Sequence, residues 1–396
     1  VRASGFNSLL ASTGLVWSRG GGMNLRGRAV AIGVVLALVA VGFIIFSNFS
    51  SCGSSSSSSA SSSAPSIRLG TIDPVRSVQT QDETLVVYEL SILNSGETAV
   101  DLRQVDTTSG ENLLASYAGS ALCERVSETS TQIDPGAELL VFMWLPLPTD
   151  LPNQTLTHVV TMQSADAEGE FEERLVVPIE DEEPVVLGPP LRGGNWLAAN
   201  TTDESPHSRN IEVFNDTVRI PMRYAMDFVQ LNPDGSEFVG EFTDNADHHA
   251  YGEEILAVAD GTIEAAIDGV PENVPGDDRA VPITLDTRGG NLIILDIGDG
   301  RFATYAHMIP GSLTVRVGDQ VKKGDVLGRV GNSGNSSQPH LHFHVSQIFD
   351  TQNASGLNGS ALPFVFESFE LLDGEGSSVG ARTLALPMND ALIAFP

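Results

Sequence analysis

Three histidines lie within five residues near the end of the sequence, in the stretch PHLHFHV: His340, His342 and His344. Leu341 and Phe343 separate them, and successive side chains of a β-strand point to opposite faces of the sheet. The spacing therefore predicts a strand that presents three imidazoles on one face. Imidazole is a frequent metal ligand and general base, so the pattern indicates a metal or acid–base site. The alternative is a half-buried strand whose polar histidines point outward.

The composition of the 396-residue chain limits its possible partners. The length suggests two or three domains with enough material for hydrophobic cores. The chain holds 21 Lys plus Arg against 51 Asp plus Glu, which gives a net charge of -30. Binding of nucleic acid needs a basic surface, so we expect no nucleic-acid partner. An acidic chain suits a secreted protein in a salty or cation-rich medium.

Residues 1–52 are predicted to be an N-terminal extension followed by a signal peptide or a membrane anchor. An apolar run, Ala29–Phe46, follows two arginines and is just long enough to span a bilayer. Cys52 follows small residues and precedes a glycine and a serine tract, as at a bacterial lipoprotein processing site. Both interpretations place the protein outside the cytoplasm, tethered to a membrane in the periplasm or at the cell surface. Residues 53–66 are predicted to be a Ser-rich linker.

Residues 67–187 show the pattern of an all-β domain. Short β-branched and aromatic runs are bounded by Asn, Gly, Asp and Pro, as in TLVVYELSILNSG and ELLVFMWLPLP. Strands at this spacing, with no helical period between them, favour a sandwich of immunoglobulin-like character. No cluster of catalytic residue types occurs here, and Cys123 is expected to be a core or loop residue. The expected role of this domain is spacing or partner contact.

Residues 188–396 are predicted to form a second, also mostly β domain. A Pro-rich break, EEPVVLGPPLRGGNW, leads into it, and glycines then separate many short apolar runs. The pattern V-x-x-G-D-x-V-x-x-G-D-x-L-G-x-x-G is typical of a barrel-sandwich hybrid. Carrier proteins of that fold hold a modified lysine at a hairpin tip. Lys322 and Lys323 lie near a turn but lack the flanking residues that modification needs, which disfavours a carrier.

Three stretches of this second domain resemble the lysostaphin-type (LytM-like) zinc endopeptidases. They are, in order, RYAMDF, GNLIILDIGDGRFATYAHM and VRVGDQVKKGDVLGRVGNSGNSSQPHLHFHV. In that family, zinc is held by a histidine, an aspartate and the second histidine of an H-x-H pair. The resemblance implies that Asp227 and His342 are zinc ligands. It also implies that His340 and His307, the latter in TYAH, perform acid–base work.

The resemblance is less direct for the first zinc ligand. Many members of the family have a histidine four residues before the aspartate, where this sequence has Arg223. A branch of the family has it farther upstream, in an H-x-R-type stretch that SPHSRN matches, and this nominates His207. His248 and His249, in NADHHAYG, remain the alternatives and otherwise resemble exposed loop histidines.

A site with two imidazoles and one carboxylate leaves a coordination position open, as catalytic zinc sites do. Zinc lowers the pKa of bound water to about 7. The chain has no H-E-x-x-H motif, so histidines would replace the usual glutamate base. The resemblance thus implies a zinc-dependent endopeptidase that hydrolyses the peptide cross-links of bacterial peptidoglycan. The alternatives are a non-catalytic relative that binds the cell wall or activates an amidase, and an assembly protein that uses the fold only as a scaffold.

Overall fold

The computed structural model describes residues 65–148, 155–201, 205, 207–214, 216–347 and 359–396. The predicted signal or anchor segment, the Ser-rich linker up to residue 64 and Cys52 lie outside these residues. All described residues belong to one compact unit. Within them, no helix has the length and apolar character needed to cross a bilayer.

The described chain is almost entirely β, as the sequence predicts. Its first nine strands are β1 (Ile67–Thr71), β2 (Val75–Gln79), β3 (Thr84–Asn94), β4 (Val100–Ser109), β5 (Asn112–Ala118), β6 (Gln132–Ile133), β7 (Glu138–Leu147), β8 (Thr155–Ser164) and β9 (Glu170–Glu180). One short helix, α1 (Gly119–Cys123), follows β5. Cys123 ends this helix and is disulfide-bonded.

The first nine strands form two packed layers. Strands β1, β2, β3 and β7 make one layer, and β4, β5, β6, β8 and β9 make the other. The layers join where β2 pairs in parallel with β9, at Val75 and Ile179. Apolar side chains from both layers form one core, among them Tyr88, Leu90, Val160 and Met162. Alternate residues of β8 are buried, which is the pattern of a strand with one face in a core.

Strand β3 is buried on both of its faces. One face contributes Tyr88 and Leu90 to the sandwich core. The other face contributes Val87 to a second apolar cluster that includes Trp196 and Tyr224 from the C-terminal half. The uninterrupted apolar run of this strand therefore reflects two cores, since a strand with one solvated face would alternate.

The described residues of the C-terminal half form sixteen further strands. They are β10 (Val185–Leu187), β11 (Gly193–Ala199), β12 (Glu212–Phe214), β13 (Thr217–Arg219), β14 (Met226–Gln230), β15 (Glu254–Leu256), β16 (Gly261–Ile267), β17 (Asn291–Gly298), β18 (Arg301–Met308), β19 (Gln320–Val321), β20 (Val326–Arg329), β21 (Leu341–Gln347), β22 (Ser360–Ala361), β23 (Phe364–Leu372), β24 (Ser378–Ala385) and β25 (Ala391–Phe395). A single 3-10 turn, Asn245–Asp247, precedes β15. Strand β10 pairs with β23 and so belongs to the second sheet; the proposed domain division at residue 188 stays a prediction.

Three neighbouring strands in the middle of the twelve-stranded sheet, in the order β14, β21 and β18, position the site. One face of these strands is apolar and enters the core through Phe228, Phe343 and Tyr305. The opposite face carries His342, whose register partners are Asp227 on β14 and Ala306 on β18. The two-residue period of the strands thus separates a packed face from a face with polar groups.

Candidate metal centre

His207, Asp227 and His342 come together in the folded chain. Their ligand atoms all lie within 4.8 Å of one another, and all three residues are buried. In the part of the chain that the structure describes, these three residues form the one group of His, Cys, Asp or Glu side chains that could hold a metal ion. Asp227 and His342 meet because they are partners across two antiparallel strands, and Nδ1 of His342 lies 2.9 Å from Oδ1 of Asp227. His207 comes from a turn that follows β11.

His207 directs an acceptor nitrogen at the cluster. Its Nδ1 lies 3.0 Å from the carbonyl oxygen of Asn200, so Nδ1–H donates there and Nε2 keeps its lone pair. Burial lowers the pKa of His207 to about 4, although Asp227 opposes this shift. The ring is therefore neutral at pH 7. Its Nε2 faces Oδ2 of Asp227 at 3.6 Å, and two acceptors that face each other at this distance suit a cation between them.

The carboxylate of Asp227 carries the charge of the cluster. Burial raises the pKa of Asp227, but the surrounding imidazoles, above all His207 and then His340, outweigh it and hold the pKa well below its usual value. The amide of Asn200 donates to Oδ2 at 2.9 Å. Two imidazole nitrogens and one ionised carboxylate, with the coordination set left incomplete, are the protein ligands of a catalytic zinc site. The residues present therefore fit zinc.

His344 contacts the cluster through His342. Nδ1 of His344 lies 3.0 Å from Nε2 of His342, the nitrogen that points away from Asp227. Protein groups that bond the second nitrogen of a metal-bound histidine fix its tautomer and ring orientation. The third imidazole of the PHLHFHV stretch is thus placed to orient the second.

His307 reaches the site through an irregularity in β18. Two residues of β18, Ala306 and His307, stand opposite one residue of β17 at this point, and His307 has a φ of 66°. In a regular strand His307 would share the core-facing side of Tyr305; the bulge turns it toward His342 instead, with ring centroids 5.8 Å apart. Nδ1–H of His307 donates to the carbonyl of Ser333 at 2.8 Å, which leaves Nε2 as the acceptor.

His340 stands beside His307 at the start of the histidine strand. The ring centroids of these two residues are 4.9 Å apart. Nδ1 of His340 lies 2.8 Å from the carbonyl of Gln338, so Nδ1–H donates there. Its Nε2 lies 3.6 Å from Oδ1 of Asp227. The structure therefore brings together all five residues that the sequence nominates, His207, Asp227, His307, His340 and His342; their individual roles remain predictions.

The alternative first ligands, His248 and His249, are not in the metal-capable cluster of the described residues. His248 is 4% exposed and packs against the rings of Phe238 and Phe242. Its Nε2 lies 2.8 Å from the carbonyl of Phe242. The expectation that His248 is an exposed loop residue is therefore wrong, because two aromatic side chains cover it.

Arg223, at the position where many relatives of the lysostaphin type have a histidine, turns away from the cluster. Its guanidinium is buried and contacts the carboxylates of Glu89 and Asp73 in the N-terminal sandwich. Burial lowers the pKa of Arg223, but these two carboxylates outweigh it, so its pKa is raised. Arg223 stays charged and is not a metal ligand.

Sequence reasoning missed three residues that hydrogen-bond the side chains of the site: Asn200, Ser333 and Gln338. Ser333 and Gln338 act through backbone carbonyls, which any residue supplies, so the sequence holds no signal for them. Asn200 has a φ of 51°. Asparagine is one of the few non-glycine residues that tolerate this left-handed region, and Asn after a strand was the available clue.

A family model matches part of the chain. Residues 246–356 match the model of peptidase family M23. The matched range contains His307, His340 and His342, whereas His207 and Asp227 precede it. The chain therefore carries a domain of peptidase family M23.

Curated relatives match over a limited part of the chain. A cell division protein, DipM of Caulobacter vibrioides, is 34% identical over 94 residues, which are 24% of this chain and 12% of the relative. A peptidoglycan DD-endopeptidase, ShyA of Vibrio cholerae, is 29% identical over 90 residues, 23% of this chain and 20% of the relative. The chain thus spans a fifth or less of the length of these two relatives.

The solved structures that match this chain have low overall similarity to it. The catalytic domain of lysostaphin from Staphylococcus simulans has 22% identity and a TM-score of 0.21, and the match covers 41% of this chain and 86% of that domain. The catalytic domain of the prophage-encoded M23 protein EnpA from Enterococcus faecalis has 17% identity and a TM-score of 0.26, with 44% of this chain and 92% of that domain covered.

Proposed function

We propose that this chain, with its domain of peptidase family M23, is a zinc-dependent endopeptidase that hydrolyses peptide cross-links of bacterial peptidoglycan. The observation that carries the proposal is the buried cluster of His207, Asp227 and His342, whose ligand atoms lie within 4.8 Å, beside two further histidines. A relative that bears the name peptidoglycan DD-endopeptidase supports the substrate class. An enzyme of this kind acts outside the cytoplasm, and the predicted N-terminal anchor would hold it at a membrane.

The zinc would be held by Nε2 of His207, the carboxylate of Asp227 and Nδ1 of His342. When bound, it would supply Lewis acidity and make water acidic enough to be deprotonated at neutral pH. The protein's contribution is a buried set of ligands whose rings and carboxylate are fixed before binding. Asn200 and His344 hold them in place through the hydrogen bonds described above.

We propose that His307 and His340 move protons during the reaction. The carbonyls of Ser333 and Gln338 accept Nδ1–H of the two rings, so each ring offers Nε2 toward the centre. Burial lowers the pKa of His307 well below its usual value, with the neighbouring His340 and His342 adding to the shift. The His307 ring is therefore neutral at pH 7, and the lone pair of its Nε2 is available to accept a proton. One of these nitrogens would take a proton from the attacking water and return it to the leaving amine.

Digestion of purified sacculi tests the proposal. The purified protein, incubated with sacculi, should release peptides with new amino termini at the cross-links, as read by mass spectrometry. A chelator should stop the release, added zinc should restore it, and His342→Ala should release nothing. If the wild-type protein binds sacculi and releases no peptide with or without added zinc, the chain is instead a non-catalytic wall-binding relative.

A further inference from the structure

Arg223 is the centre of a buried charge network that joins the two halves of the chain. Nε of Arg223 donates to Oε1 of Glu89 at 3.1 Å, and Nη2 donates to Oδ2 of Asp73 at 2.8 Å and also to Oε2 of Glu89. Glu89 lies in β3 of the sandwich, and Asp73 lies between β1 and β2. Arg223, Glu89 and Asp73 are 2%, 1% and 8% exposed, respectively.

The same network reaches a second strand of the site. The other oxygen of Asp73, Oδ1, accepts a hydrogen bond of 2.9 Å from the hydroxyl of Ser360. Ser360 begins β22, which pairs with the end of β21 at Ser346 and Gln347. Arg219 donates to the same hydroxyl at 2.8 Å. Asp73 therefore contacts both the segment that leads into β14 and the strand that flanks β21.

Strands β14 and β21 carry the proposed ligands Asp227 and His342. Arg223 lies four residues before Asp227, and the next residue, Tyr224, donates its hydroxyl to the carbonyl of Val87 at 3.3 Å. The sandwich thus fixes two consecutive residues at the entrance to β14. Buried charges cost free energy unless they are paired and hydrogen-bonded with good geometry, so the bidentate contact to Glu89 fixes the position of the segment within narrow limits.

We propose that Arg223, held by Glu89 and Asp73 of the N-terminal sandwich, is a positioning residue that sets the place of Asp227 for metal binding. This inference rests on the metal centre of the proposed function. If Arg223 has this role, the N-terminal sandwich supports the metal site and is more than a spacer. Many relatives of the lysostaphin type have a zinc-binding histidine at the position of Arg223. In this chain the residue at that position supports the strand of a ligand and does not bind the metal.

Zinc affinity, measured by competition with a chromophoric chelator, tests the inference in the full chain. The first variant is Glu89→Gln, which removes the charge that Arg223 faces. The second is Arg223→Met with Glu89→Met, which replaces the bidentate pair by apolar side chains of similar volume. Asp73 keeps its hydrogen bond from Ser360 in this variant, and the melting temperature shows whether the fold is retained. The zinc dissociation constant should rise about 10- to 100-fold, the range found when groups behind a metal ligand are removed.

The matched control is His158→Ala. His158 is fully buried in the sandwich core and contacts Tyr88 and Thr107, on the face of β3 opposite to Glu89. This variant should lower the melting temperature and leave the zinc dissociation constant unchanged. The absorption bands of bound cobalt, which report ligand geometry, should shift in the double variant and remain unchanged in His158→Ala.

The outcomes separate this inference from the proposed function. If the wild type binds zinc and the double variant binds it with the same dissociation constant, Arg223 only stabilises the contact between the sandwich and the C-terminal half, and the inference is wrong. A rise in the dissociation constant that His158→Ala matches would have the same meaning. If the wild type binds no zinc, the metal centre itself is wrong, and the inference fails with it.

Discussion

The side-chain amide of Asn200 donates a hydrogen bond of 2.9 Å to Oδ2 of Asp227. The backbone carbonyl of Asn200 accepts Nδ1–H of His207 at 3.0 Å. A single residue therefore orients two of the three proposed zinc ligands. Its left-handed backbone, with a φ of 51°, allows the carbonyl and the side chain to face the site together.

Replacement of Asn200 by alanine should weaken zinc binding by about 10- to 100-fold, because the carboxylate of Asp227 loses a hydrogen bond that orients it. Competition with a chelator measures the change. The matched control is Asn195→Ala, because Asn195 also has a positive φ, of 61°, and lies at the start of β11 away from the cluster. Equal zinc affinities in the two variants would show that only backbone strain had been measured.

The adjacent histidines His340 and His342 should respond differently to alanine substitution. Loss of His342 removes a ligand and should empty the site. Loss of His340 should leave zinc bound and abolish turnover, because its Nε2 is proposed to carry a proton. Metal analysis and peptide release from sacculi should be measured on the same samples.

His307→Ala should behave as His340→Ala does in this comparison. It should retain zinc and lose turnover, since the bulge in β18 places His307 beside the cluster and outside the ligand set. The division of roles is wrong if zinc loss is the same in the variants of His307, His340 and His342.

His158 should make the stability of the sandwich depend on pH. Burial lowers the pKa of His158 from 6.5 to about 4. The unfolded chain then binds a proton that the folded chain does not, so stability is fully present above pH 6.5 and falls as the pH drops from 6.5 toward 4. By pH 4 the loss from this residue should reach about 3 kcal/mol.

Urea unfolding of the wild type and of His158→Gln, both with chelator present, measures this contribution. The free energy of unfolding should fall more steeply between pH 7 and pH 4 in the wild type, because the other histidines are common to both proteins and cancel in the difference. Parallel pH profiles would mean that His158 is protonated in the folded state at the same pH as in the unfolded chain.

The local sequence pattern predicted the strand of the site well. The alternation of histidines with Leu341 and Phe343 predicts β21 and its polar face, and both features are present. Short-range periodicity is enough here, because one face of the strand enters a core. The apolar runs of β3 and β7 likewise predict a sandwich layer.

Long-range and irregular features could not be read from the sequence. Arg223 meets Glu89 and Asp73 across 134 and 150 residues of chain. The sequence therefore gave no reason to assign the sandwich a part in the site. His307 reaches the site through a bulge that breaks the two-residue period, so periodicity alone would place it in the core. The motif resemblance nominated His307 where the physical pattern would not.

The central claim is that His207, Asp227 and His342 hold one zinc ion, and metal analysis of three purified proteins tests it most directly. The wild type and the double variant His248→Ala with His249→Ala should each contain one zinc per chain, because neither of these histidines belongs to the cluster. His207→Ala should contain almost none, since Nε2 of His207 is the nitrogen that faces Asp227. Zinc retained by His207→Ala and lost from the double variant would place the first ligand in the NADHHAYG loop and contradict the site described above.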